Sequence, residues 1–199
     1  MELIVVTPPD YFDREGELIN QFFAAGIRLL HLRKPENDPL KFRKLMMEID
    51  PANYPLISIH QHHELAAEFS LKRLHYTEQQ RKGTSVTEIV RLAEEGFLLS
   101  SSVHELAVLP ELDYLGYVFF GPVFNSISKA GYQSTLDADF VLPPHEVKVF
   151  AIGGVSADRL GELKRMGFAG AAVLGTIWHQ DVTPLTAVKK LISAINEIY

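Results

Sequence analysis

The 199-residue chain contains no cysteine. Disulfides, thiolate metal sites and cysteine nucleophiles are therefore excluded outright. The same absence fits the cytoplasm, which is the expected compartment. Positive charge is not in excess either: 19 Lys and Arg stand against 25 Asp and Glu, for a net charge of -6. Phosphate backbones and anionic membranes recruit basic faces, so neither a nucleic acid nor a membrane is the expected partner. A small phosphorylated metabolite remains open, because it needs only a local anion site. Long apolar runs are missing as well, and none approaches the roughly 18 residues of a membrane span. The start, MELIVVTPPD, carries an acid at its second position and lacks the basic stretch of a signal peptide, so it reads as a buried strand.

What is present is a globular composition, 47% hydrophobic, with length for one domain and a full core across residues 1–199. Short apolar runs alternate with helical patterns from end to end. The pattern predicts strands at Leu3–Thr7, Arg28–Arg33, Leu56–His60, Arg73–Thr77, Phe97–Val103, Tyr114–Val123, Val147–Ile152 and Gly170–Leu174. Helices are expected over Glu15–Ala25, Leu40–Ile49, His63–Phe69, Val86–Glu95, Ala157–Met166 and Pro184–Ile198. Gly26, Gly96 and Gly167 fall where helices stop. Strict alternation implies a parallel sheet with crossover helices, and strands that are nearly all apolar imply burial on both faces. Eight such units point to a compact (β/α)₈ TIM barrel of the α/β class, with an open doubly wound sheet as the alternative.

In that fold the chemistry sits where strands end. The second strand ends in His31-Leu32-Arg33-Lys34-Pro35, and alternation puts His31 and Arg33 on one side with Lys34 on the other. Arg33 presents a planar fork suited to phosphate or carboxylate. The run His60-Gln61-His62-His63 has the composition of a metal cluster, but neighbouring strand residues point opposite ways, so no metal site is assigned to it. Ser102 and His104 share a side after the fifth strand. The sixth strand leads into Asn125-Ser126-Ile127-Ser128-Lys129, two hydroxyls and a mobile cation suited to a phosphoryl group. The last two strands end in Gly153-Gly154 and Leu174-Gly175. Glycine lets backbone N–H groups approach a ligand, and the loops after strands seven and eight are the recurrent phosphate site of this fold.

The series HLRK, ELA, LH, SSVH, DY, FFGPVFNSISK, AIGG and GAAVLG resembles the thiamin-phosphate synthase and TenI family, in the right order over nearly the whole chain. The resemblance implies the (β/α)₈ barrel. It also implies one of two activities. The synthase joins hydroxymethylpyrimidine diphosphate to a thiazole phosphate, releasing diphosphate with Mg2+ as cofactor; TenI proteins shift a proton on a thiazole carboxylate phosphate. Carried over by position, Gly154, Leu174 and Gly175 fall on the thiazole-phosphate turns, Ser126, Ser128 and Lys129 on the adjoining loop, and Ser102 on a diphosphate contact. Of the family's Gln-x-Arg-x-Lys, only Arg33 is kept, with His31 in the glutamine position. Gln61 and Gln80 fall where the synthase has its magnesium carboxylates; Glu36, Asp38 and Glu78 are the nearby alternatives. The resemblance thus favours a TenI-like thiazole-phosphate isomerase with His31 and His104 as proton-transfer candidates. The alternatives are a thiamin-phosphate synthase requiring Mg2+ and a regulator that binds thiazole phosphate without chemistry. The oligomeric state is left open.

Overall fold

The computed structural model describes residues 1–125, 136–137, 139–179 and 181–198. Eight strands close into a parallel barrel in chain order: β1 (Glu2–Val6), β2 (Leu30–Leu32), β3 (Ile57–Ile59), β4 (Arg73–Tyr76), β5 (Leu98–Val103), β6 (Tyr117–Phe120), β7 (Lys148–Ile152) and β8 (Gly170–Val173). β8 pairs back onto β1, Glu2 opposite Gly170 and Val5 opposite Val173, so no edge strand is left unpaired. Every strand anticipated from the sequence is present, the first displaced by one residue and the other seven in shorter form.

The helices are α1 (Glu15–Ala24), α2 (Pro39–Glu48), α3 (Glu78–Gly83), α4 (Val86–Glu94), α5 (Leu160–Arg165), α6 (Gly175–Trp178) and α7 (Pro184–Ile198). Local chemistry sets their ends. Asp38 accepts from the backbone N–H groups of Leu40 and Lys41 at the start of α2, and Ser85 caps α4. Thr77 and Gln80 form a reciprocal capping box that starts α3. Neither α3 nor α6 is among the helices expected from sequence, both being too short to show a period. The helix expected over residues 63–69 contracts to a 3₁₀ turn, His63–Leu65, entered through His62 in the left-handed region. No helix among the described residues is long and apolar enough to cross a membrane.

Alternation along the strands divides the buried residues in two. Val5, Leu30, Ile57, Ile59, Leu74, Val118, Val149 and Ala171 face outward against Phe22, Phe42, Leu163 and Val188 of the helices. Inside the barrel, Ile4, Val6, Phe119, Phe150 and Ala172 form an apolar half. The other half is polar: His31, Ser58, His75 and Ser100 are fully buried, and the register sets His31 beside Ser58 and His75 beside Ser100.

Candidate functional site at the strand ends

Two features lie at the C-terminal mouth and a third inside the barrel beneath it. The first is the glycine turn after β7. Gly153 and Gly154 have φ of 94° and 65°, in the left-handed region that favours glycine. The segment after β6 crosses against them: Val123 N–H donates to Ile152 O, and Phe124 N–H to Gly153 O, both at 3.0 Å. A Cβ on Gly154 would lie 2.5 Å from Asn125 O, and one on Gly153 would lie 2.8 Å from Pro122 Cα. Only a residue without a side chain permits this approach. After β8, Leu174 caps α6 and Gly175 opens it. The first N–H groups of such a turn have no partner within the helix. Gly153, Gly154, Leu174 and Gly175 are all half-buried, which leaves their backbone within reach of a ligand. Gly154 also lines a cavity of about 610 Å³ with Asn125, Ser156 and Arg159. Ser156 and Arg159 were not singled out from sequence, although their position directly after the Gly153-Gly154 turn was the available signal.

The second feature is the end of β2. Arg33 is half-buried, on the same side as His31, and its guanidinium has no hydrogen-bond or ion-pair partner among the described residues. Lys34 turns the other way, as the one-residue slip demands. Its side chain is fully buried, with the ammonium 2.8 Å from a Glu15 carboxylate oxygen. It donates to Pro8 O and Asp10 O at 2.9 and 2.7 Å and lies 4.9 Å from the centre of the Tyr11 ring. Burial raises the Glu15 carboxyl to about 7 even with Lys34 pulling it down. Lys34 is thereby committed to holding the segment after β1.

The third is the imidazole group inside the barrel. His31 Nδ1 lies 2.9 Å from His60 Nε2, and His31 Nε2 lies 2.6 Å from the Tyr117 hydroxyl. His75 has Ser100 Oγ at 2.9 Å on Nδ1 and Ser102 Oγ at 3.0 Å on Nε2. Burial holds His31 and His60 well below the usual imidazole range, and holds His75 at about 3. All three are therefore neutral at pH 7. Sequence reading singled out His31 and Ser102 but not His75 or Tyr117. Alternation along β4, β5 and β6 was the signal, since His75, Ser100, Ser102 and Tyr117 share the interior face.

The two proton-transfer candidates are not brought together. His31 lies fully buried in the barrel with both ring nitrogens engaged. His104 is exposed past the end of β5, with its Nδ1 on the Glu78 carboxylate. Lys82 and His104 together hold the Glu78 carboxyl down at about 2. The run His60-Gln61-His62-His63 also disperses. His62 sits by Glu64, His63 Nε2 by Ile59 O, and only His60 enters the barrel. Ser126, Ser128 and Lys129 lie outside the described residues.

A closed (β/α)₈ barrel with glycine turns at the ends of its last two strands has the layout in which this class of barrel frequently places a phosphate site at the C-terminal mouth. Within that class the assignment is specific. Residues 3–177 match the family model of thiamine monophosphate synthase, and the chain belongs to that family. The thiamine-phosphate synthase of Levilactobacillus brevis is 27% identical over 186 residues, covering 87% of this chain and 85% of that protein. That of Helicobacter pylori is 26% identical over 166 residues, covering 78% and 73%. Among solved structures, a thiamine phosphate pyrophosphorylase from Bacteroides thetaiotaomicron superposes with a TM-score of 0.74 at 25% identity over the full length of both chains.

Proposed function

We propose that the protein is a thiamine-phosphate synthase with an altered diphosphate end. It joins hydroxymethylpyrimidine diphosphate to a thiazole phosphate and releases diphosphate. The observation that carries this reading is the pair of glycine turns at Gly153-Gly154 and Leu174-Gly175, in a chain whose curated relatives are thiamine-phosphate synthases. In the reaction the methylene–oxygen bond of the pyrimidine diphosphate breaks and the thiazole nitrogen takes the carbon. The task left to the protein is to fix the two partners and to meet the negative charge on the leaving group. The glycine turns fix the thiazole phosphate. Arg33, whose guanidinium has no hydrogen-bond or ion-pair partner among the described residues, is the cation for the leaving diphosphate, and the Ser102 hydroxyl, now on His75 Nε2, is the neutral donor.

The residues present do not fit the family's magnesium ion. Magnesium favours carboxylate oxygens, and the two corresponding positions hold amides already in use. Gln61 Oε1 accepts from the Lys34 backbone N–H at 2.7 Å. Gln80 Oε1 accepts from the Thr77 N–H and hydroxyl, both at 2.9 Å. The three alternative acids are engaged as well: Glu78 by Lys82 and His104, Glu36 by Lys41, and Asp38 as the cap of α2. The amides are also the observation that favours a second reading, a TenI-like proton shift on a bound thiazole phosphate, which needs no diphosphate-bound metal. Against it stand the relatives and the sealed position of His31.

Single-turnover incubation of the two substrates separates these readings. Thiamine phosphate is expected to form, with little difference between added magnesium and added chelator. No product under either condition, with thiazole-phosphate binding intact, overturns the synthase reading and leaves isomerisation or binding alone.

A further inference from the structure

We propose that His31, His60 and His75 form a transition-metal site inside the barrel, of the class that takes zinc, cobalt(II), nickel(II) or copper(II). His31 on β2, His60 just after β3 and His75 on β4 supply one imidazole each, and one ring nitrogen from each lies within 4.8 Å of the other two. The site rests on the geometry of the barrel interior and is independent of the synthase reading.

Three observations support it. The first is ligand chemistry: a metal displaces protons from its ligands, so an imidazole must be neutral to bind. All three are buried, with 5% exposure at most, and their burial disfavours the protonated form. Nitrogen donors without carboxylates select borderline transition metals over magnesium or calcium, and three imidazoles alone suffice to hold zinc with an open position.

The second is the contact between His31 Nδ1 and His60 Nε2, at 2.9 Å. The two nitrogens face each other across one shared proton. Two ligands at about 2.0–2.1 Å from a tetrahedral zinc lie about 3.4 Å apart, so a metal replaces that proton once the two nitrogens part by about half an ångström and both rings turn to aim their lone pairs off the line that joins them. His75 stacks on His60, with ring centres 4.1 Å apart. It completes the set by a ring rotation that exchanges one of its two serine hydroxyls for the metal.

The third is the outer support. Metal-bound histidines hold their second nitrogen on an oxygen, which fixes ring orientation. His31 has the Tyr117 hydroxyl at 2.6 Å on Nε2, and His75 has a serine hydroxyl on either nitrogen. His60, the one ligand with measurable exposure, sits just past the end of β3 and gives the entry path from the mouth.

The test is cobalt(II) titration of chelator-treated protein, followed by visible absorption and calorimetry. One equivalent is expected to bind with a spectrum of nitrogen-ligated, low-coordinate cobalt. His60→Asn is expected to weaken binding by at least about 100-fold, while His145→Ala leaves it unchanged. No binding by the wild-type protein, or equal binding by His60→Asn, overturns the proposal. Wild-type protein alone gives a second reading that requires no folded variant. On zinc addition, the ring ¹⁵N resonances of His31, His60 and His75 should move while those of His104, His145 and His179 stay; the reverse pattern overturns the site.

Discussion

Lys34→Met removes the cation paired with Glu15 where the loop after β2 meets the start of α1. The methionine is close in length and apolar, so shape is largely conserved. What is lost is the 2.8 Å ion pair and the two donations to Pro8 O and Asp10 O. Deleting one member of a buried pair costs about 3–5 kcal/mol, because the remaining charge has no compensation. Protonation of Glu15 limits that cost, and this gives the effect a pH signature. The folded carboxyl is already raised from its ordinary 4.5 to about 7. A raised carboxyl means that the folded state binds the proton more tightly than the unfolded chain. Stability contributed by this group therefore falls as pH rises from 4.5 through the folded value. Without Lys34 the folded value moves higher still, so the variant continues to lose stability above pH 7 where the wild type has levelled off. Urea denaturation followed by circular dichroism should show a deficit larger at pH 8 than at pH 6. Lys34→Met/Glu15→Gln should recover about 1–3 kcal/mol of it, since the uncompensated charge is gone. A single variant that loses less than about 1 kcal/mol, a deficit independent of pH, or a double variant no better than the single would refute the reasoning.

Two further outcomes follow from the mouth of the barrel. Gly154→Ala places a Cβ 2.5 Å from Asn125 O at a φ of 65°, so the turn must shift. The expected loss is at least about 2 kcal/mol in thermal or urea unfolding, together with loss of thiazole-phosphate binding by calorimetry; unchanged affinity would remove this turn from the site. Glu78 is held at about 2 by Lys82 and His104, so its stabilising contribution is complete above pH 4.5 and is lost as pH falls towards 2. Glu78→Gln should flatten that part of the acid-unfolding curve by less than about 1 kcal/mol, as suits a pair close to solvent; identical curves would show that the contact does not persist in solution.

The sequence by itself determined the number and order of the strands, because buried parallel strands must be apolar and the helices between them must be amphipathic. It also determined the glycine turn after β7, since Gly153 and Gly154 stand at a strand end where only a bare backbone fits. The opposite facing of Arg33 and Lys34 was legible too, because a strand alternates with a period of two. The short helices α3 and α6 were not legible: four to six residues carry no period, and the capping box at Thr77 and Gln80 identifies itself only once the chain turns there. Tertiary structure decided what each polar residue meets. Lys34 and Glu15 are 19 positions apart and become a buried pair only when α1 packs over β2. His31, on β2, His60, just after β3, and His75, on β4, are far apart in the chain, and no local spacing announces them. They converge because barrel closure turns their shared inward face toward one axis, which is a property of the closed sheet and of no single segment.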